Sequence, residues 1–295
     1  MLFFITTSYD ATVDLLISHL EDDQGFRLNY DLWHDYGLEF TARGWRVSDP
    51  VGRSISSETI TGCFWWKAFN DLMPDVDQYV VDEIKYHLKE LYGWCSLRGL
   101  VAGNPPDFHN RLGKLNIIQM ASRYFPVPET ASGWRLGKLA LISPVAKSLS
   151  STPTGNGRVM YAQAVDADRL DPRFPWTLQE RVDAEFDVTV FLCGEELFAF
   201  RRSRLHLQGL DWRVEVFDTN VPWDLFPLSE ADHAALLGLS RELGVRFGRY
   251  DFLLGEAGLS FLEFNANGQW GFLDPRGEIG LARKVLGLIR STANS

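Results

Sequence analysis

The hydrophobic pattern of this chain changes period repeatedly, and each change marks an element. "LFFIT" at residues 2–6 is a short continuous apolar run and reads as a buried strand. "DATVDLLISHL" follows, with Val13, Leu16, Ile17 and Leu20 recurring on one side of a helix. "FRLN" predicts a second strand, and "LEFTARGWRVSD" a hairpin turning at Arg43-Gly44. "GCFWWKAF" reads as another strand, with Trp65 and Trp66 in a core because large aromatics are mostly buried. Val80, Ile84, Leu88 and Leu91 in "DVDQYVVDEIKYHLKELYGW" return at helical spacing and predict a long helix. This small α/β unit ends near Asn104-Pro105-Pro106, a boundary signal because proline biases its predecessor away from helix.

A second unit opens with a predicted helix, "HNRLGKLNIIQMASRY", and runs through "FPVPET" into "GKLALISPVAKSL". The segment "SSTPTGNGRV", rich in Gly, Ser and Thr, predicts a mobile loop, and "VMYAQAV" and "TLQERVD" read as strands. A third unit holds two strands around Gly194-Glu195 in "DVTVFLCGEELFAFRRS" and another at "LDWRVEVFD". "SEADHAALLGLSRELG" is a helix capped by Ser229 with acids in its first turn. "RYDFLLGEAGLSFLEFN" reads as a hairpin turning between Gly255 and Gly258, and "GEIGLARKVLGLIRS" as a closing amphipathic helix. There is no internal repeat and no low-complexity run.

Composition narrows the class. With 295 residues, 45% of them hydrophobic, the chain can build two or three packed domains. Its 29 Lys and Arg against 39 Asp and Glu leave a net charge of −10, which argues against general nucleic-acid binding but leaves room for a local basic groove. Cys63, Cys95 and Cys193 are odd in number, far apart and without a CxxC pair, so neither a zinc site nor a disulfide framework is indicated and a reducing cytoplasm fits. The N-terminus has no basic leader and no small-residue cleavage site. No window approaches the roughly 18 apolar residues of a membrane span, so no membrane partner is expected.

The candidate chemistry sits in "FLEFNANGQW", residues 261–270. An apolar strand here carries an acid, Glu263, and an amide, Asn265, two residues apart and therefore on one face. Asp251 lies on the other arm of the same hairpin, where antiparallel pairing can bring it beside them. Three oxygen-bearing side chains suit a hard cation, and Mg²⁺ is usually held by one or two carboxylates plus nucleotide phosphates. The plain alternative is a strand-edge acid beside turn-forming asparagines. Asp251 on the partner arm of the hairpin favours the cation.

These residues carry a resemblance. "YDFLL" with "FLEFNANGQW" resembles the C-terminal signature of ATP-grasp ligases, and most closely that of the ATP-grasp ribosomal peptide maturases, the graspetide or microviridin-type macrocycle synthetases. Other elements of that family are matched by "ITTSYD", by "RLNYD" at Arg27, Asn29 and Asp31, by Lys114 and Gln119 ahead of "VPET", and by Asp211-Trp212-Arg213. The likeness spans nearly the whole chain. It implies an α/β (α+β) ATP-grasp fold, with a pre-ATP-grasp domain over 1–104, a central subdomain over 105–183, and a C-terminal subdomain with the metal site over 184–295.

The resemblance also implies site residues. ATP and Mg²⁺ are the expected cofactors, with Asp251, Glu263 and Asn265 as metal ligands. Lys147 is expected on the ATP phosphates and Lys114 on phosphate or ribose. Gln179, Glu180 and Val182 are expected on the strand that meets adenine through backbone groups. Asp211 and Arg213 are expected in catalysis. One departure stands out: the family often has an arginine two residues after the acid that follows the hinge, and here the run is Asp187-Val188-Thr189. Arg201, Arg202 and Arg204 on the next strand are the candidates for that charge, and Arg202 joins the catalytic set. Ala266 stands where proline is common, at a position without a ligand.

The implied activity converts Asp or Glu side chains of a ribosomal precursor peptide into acyl phosphates and closes esters or amides with Ser, Thr or Lys. Family members read a leader segment and are homodimers. Two alternatives remain: an ATP-grasp ligase adding an amino acid to a carboxyl group, and a non-catalytic module that binds peptide or nucleotide.

Overall fold

The computed structural model describes residues 1–66, 76–136, 141–150, 160–207, 209–211 and 221–292. The chain begins with β1 (Leu2–Thr6), α1 (Ala11–Ile17), β2 (Gly25–Asn29), β3 (Gly37–Thr41), β4 (Gly44–Ser48), β5 (Ser54–Ser56), β6 (Gly62–Trp65), α2 (Gln78–Ser96) and β7 (Val101–Ala102). Strands β2-β1-β6-β7 form a parallel sheet, and β3-β4-β5 a small antiparallel one. The continuous apolar run of β1 is explained by burial on both faces. Phe3 and Ile5 pack with Trp45, Val47, Leu88 and Leu91, whereas Leu2 and Phe4 pack with α1 and the C-terminal helix. Trp65 and Trp66 are both core residues. On α2 the buried positions are Val81, Leu88, Leu91 and Cys95, so the stripe begins at Val81, one residue past the predicted Val80. Helix α1 stops at Ile17, short of the predicted Leu20.

The single helix expected over 109–124 is two: α3 (Phe108–Arg111) and α4 (Lys114–Ala121). Leu112 and Gly113 both take extended backbone between them (ψ 95° and 156°), which interrupts the helical hydrogen bonds and leaves Lys114 as the first residue of α4. Next come β8 (Thr130–Gly133), β9 (Val145–Lys147), β10 (Gln163–Ala164) and β11 (Trp176–Gln179), an antiparallel sheet in the order β10-β9-β11-β8. The strands expected at "VMYAQAV" and "TLQERVD" are thus shorter than read, because pairing partners exist only for Gln163–Ala164 and up to Gln179.

The last part contains β12 (Phe186–Cys193), β13 (Glu196–Ser203), β14 (Asp224–Leu225), α5 (Glu230–Leu243), β15 (Phe247–Gly255), β16 (Gly258–Asn265) and α6 (Leu281–Ser291). The strands form one antiparallel sheet, β14-β13-β12-β15-β16. Ser229 caps α5 by accepting from the Asp232 backbone N–H, and Gly244 ends it in the left-handed region (φ 67°). Val188, Val190 and Leu192 of β12 face α4 and α5 in one core. On the other face Phe191, Phe200 and Phe247 join the core beneath α6, while Asp187 and Thr189 of the same strand stay polar. That half-apolar, half-polar face is where the site forms. Packing crosses the limit read at 104: Asn104 Nδ2 donates to the carbonyls of Phe247 (2.6 Å) and Ala266 (2.7 Å). The strand expected at "LDWRVEVFD" and the loop at 151–157 lie largely or wholly outside the described residues, as does Arg213.

Candidate nucleotide and carboxylate site

The β15–β16 register sets Asp251 opposite Glu263 and Arg249 opposite Asn265. The register shifts after Asp251, so Phe252 pairs with Phe261 and Leu262 is the extra residue. This bulge lets Phe261 and Phe264 both reach the core while Glu263 and Asn265 stay on the polar face. Asn265 Nδ2 lies between the two acids, donating to Asp251 Oδ2 (2.8 Å) and Glu263 Oε1 (3.1 Å). Thr189 Oγ1 donates to Asp251 Oδ1 (2.8 Å), and Lys114 Nζ to Glu263 Oε2 (3.4 Å).

The donor set fits Mg²⁺. An N–H of Asn265 holds the place between two carboxylates that a cation would take, and a turn of the amide would present its oxygen instead. Among the described residues no three or more His, Cys, Asp and Glu side chains converge, so a cation here would complete its shell with phosphate oxygens or water.

One cavity brings together the predicted nucleotide residues Lys114, Lys147, Gln179, Glu180 and Val182. Asp211, Asp251 and Glu263 line it too. Lys147 Nζ bonds to Gln179 Oε1, and Gln179 Nε2 donates to Thr130 Oγ1 (3.0 Å). Gln179 is 3% exposed, so its side chain serves to hold Lys147 in place. The Glu180 N–H donates to the Glu129 carbonyl (2.8 Å), after which the chain leaves the sheet.

Strand parity sorts the three candidate arginines. Arg201 points to the opposite face, its Cζ 4.7 Å from the Phe186 ring centre. Arg204 Nη1 bonds to Asp187 Oδ1, and its Nη2 donates to the Leu210 carbonyl (3.1 Å). Arg202 pairs across the strands with Asp187, is buried, and lines a second cavity. Burial pushes the Asp187 carboxyl up to about 6, against the pull of Arg204 and Arg202 and with a smaller push from Asp211.

The second cavity is lined by Arg202, Asn265, Asn267 and Phe272, and it shares Arg249 and Trp223 with the first. Arg249 is buried, with Nη2 on Asp251 Oδ2 (3.1 Å) and Nη1 on the Gln269 carbonyl (2.9 Å). Sequence reading passed over it, although its place two residues before Asp251 puts it on the same strand face. Thr189 carried no such signal, since its contact with Asp251 depends on the β12–β15 register.

The architecture has solved counterparts. The chain is similar to the macrocyclase MdnC from Microcystis aeruginosa MRC, solved bound to its precursor peptide MdnA, with 18% identity, a TM-score of 0.79 and both chains covered over 100%. It is similar to a Chryseobacterium gregarium RiPP-associated ATP-grasp ligase, solved with ADP and a leader and core peptide, with 18% identity, a TM-score of 0.80, and 98% of this chain and 96% of that one covered. The chain has the ATP-grasp fold. A more distant ATP-grasp likeness is to the D-alanine–D-alanine ligase of Bacillus anthracis, solved with ATP, at 12% identity and a TM-score of 0.56 over 100% and 97% of the two chains. At these identities the likeness is one of fold. No family model and no curated protein matches the chain. Among the described residues no helix is long and apolar enough to cross a membrane.

Proposed function

We propose that this protein is an ATP-dependent ligase that activates Asp or Glu side chains of a ribosomal precursor peptide and closes them onto Ser, Thr or Lys of the same peptide. The observation that carries this reading is a lysine-bearing cavity that meets a second, arginine-lined cavity at Arg249, beside the acids Asp251 and Glu263. The solved ATP-grasp relatives in complex with precursor peptides support the substrate class.

In this reading Glu180 and Val182 present backbone groups to adenine, and Lys147, braced by Gln179, holds the phosphates with Lys114. Asp251, Glu263 and Asn265 would hold Mg²⁺, which supplies charge neutralisation on the β and γ oxygens. Arg202 and Arg249 orient the acceptor carboxylate from the second cavity. Its oxygen attacks the γ-phosphorus and ADP leaves. The hydroxyl or amine then attacks the acyl carbon, phosphate leaves, and the peptide is one water lighter per ring. Asp211 orients and deprotonates that nucleophile, and Arg213 binds the acceptor carboxylate or its acyl phosphate. The protein works in the cytoplasm as a homodimer, over domains 1–104, 105–183 and 184–295, and reads a leader segment.

The test is co-expression with short peptides encoded beside its gene, followed by mass spectrometry. Each ring removes one water mass in an ATP-dependent manner. Addition of an amino acid mass would instead favour a ligase acting on a free carboxyl. Unchanged peptide mass with tight ATP binding would favour a binding module and defeat the proposal.

A further inference from the structure

The run Asn267-Gly268-Gln269-Trp270 follows the metal ligands and lies directly against them. A Cβ added at Gly268 would fall 2.9 Å from Arg249 Cβ and 3.0 Å from Asn265 Cβ, so the loop rests on both residues. Trp270 is fully buried and stacks on Phe191, with ring centres 5.6 Å apart at 21°. Gln269 sits between these anchors. Its backbone carbonyl accepts from Arg249 Nη1 (2.9 Å), and its side-chain Oε1 accepts from Thr12 Oγ1 (2.7 Å).

Thr12 is 7% exposed and lies in the first turn of α1, in the N-terminal part of the chain. The start of α1 is itself fixed. Asp10 caps it through the Val13 N–H (2.9 Å). Ser8 donates to Asp31 from both N (2.8 Å) and Oγ (2.6 Å), and Arg27 ties the Thr7 carbonyl to Asp14. The motifs "ITTSYD" and "RLNYD", neither of which lines the two cavities, therefore meet to seat the helix that carries Thr12.

We infer that Thr12 and Gln269 are positioning residues that aim the Arg249 guanidinium. A guanidinium fixed at both Nη atoms, by the Gln269 carbonyl and by Asp251, has its plane set. The second N–H of each Nη is thereby held in one direction, on a residue that lines both cavities, while Nε is buried. Removing the Thr12 tie frees the carbonyl that holds one of those atoms. This rests on the ligase reading for the identity of the acceptor, while the tie itself does not.

Two readouts on the full-length protein test it. The first is ring closure on whichever co-expressed precursor the wild-type enzyme dehydrates. Thr12→Val and Gln269→Leu should each lower kcat about tenfold, since small misplacements of orienting groups cost up to about a hundredfold. The nucleotide KM should stay within about twofold, Thr12→Ser should restore the rate, and the double variant should match either single one because both cut one tie. A Thr12→Ser variant as slow as Thr12→Val, or a double variant slowed multiplicatively, overturns the inference. The second readout needs no peptide. Hydrogen exchange over residues 266–272 should quicken in Thr12→Val and not in Thr12→Ser, with α1 unchanged. Equal exchange in Thr12→Val and wild type overturns the tie. A wild-type enzyme that dehydrates no peptide instead defeats the ligase reading and leaves the exchange result to decide the tie.

Discussion

Gly268→Ala isolates the loop that rests on Arg249. Gly268 has no left-handed backbone angle, so the substitution acts through volume alone. The new methyl would meet two Cβ atoms at 2.9 and 3.0 Å and the Asn265 carbonyl at 3.3 Å, where ordinary contact is 3.4–4 Å. Neither Cβ can swing away, because Arg249 and Asn265 are paired directly across β15 and β16. The loop must therefore lift, by about half an ångström, at the roughly 1–3 kcal/mol typical of an overpacked site. The same lift would lengthen the 2.9 Å bond from Arg249 to the Gln269 carbonyl, whose loss adds about 1 kcal/mol to the stability cost, and would press on Asn265 and so disturb its place between Asp251 and Glu263, which is what weakens MgATP. Calorimetry of MgATP and a thermal melt measure the two effects. Expected are a lower melting temperature and a several-fold weaker MgATP affinity, with metal-free adenosine binding unchanged because Gly268 does not line the cavity that Glu180 and Val182 share. A variant with wild-type melting and MgATP affinity would show that the loop does not bear on Arg249 and Asn265.

Three further outcomes are expected. Glu263→Gln should cut the ratio of ATP affinity with Mg²⁺ to that in EDTA by more than about tenfold, and an unchanged ratio would remove Glu263 from the metal site. The raised pKa of Asp187 means that its contribution to stability is fully present below the ordinary value of 3.8 and lost as pH climbs through about 6. At about 1.4 kcal/mol per pH unit this is at most about 3 kcal/mol, and urea midpoints between pH 4 and 7 should fall with pH in the wild type and flatten in Asp187→Asn. Gly287→Ala, on the exposed face of helix α6 with open space around the new methyl, should raise stability by about 0.5–1 kcal/mol, and a loss would refute its placement on the helix exterior.

The elements were legible where the pattern was local. The hairpins at Arg43-Gly44, Gly194-Glu195 and Gly255–Gly258 all form, since turn residues and alternation act over a few positions. The reading of 109–124 as one helix failed because a break at Leu112-Gly113 costs little locally and places Lys114 against Glu263, a gain that lies 149 residues away. The strand at 177–183 was read too long because its end depends on where β8 and β9 stop.

Asp251, Glu263 and Asn265 were readable from the sequence because one hairpin carries all three, and two-residue spacing with antiparallel pairing forces them together. The role of Arg204, the parity that turns Arg201 away, the Thr189 contact and the path from Thr12 through Gln269 to Arg249 were decided only in three dimensions. Each joins strands or helices distant in sequence, and the register that brings them together is set by the packing of whole sheets.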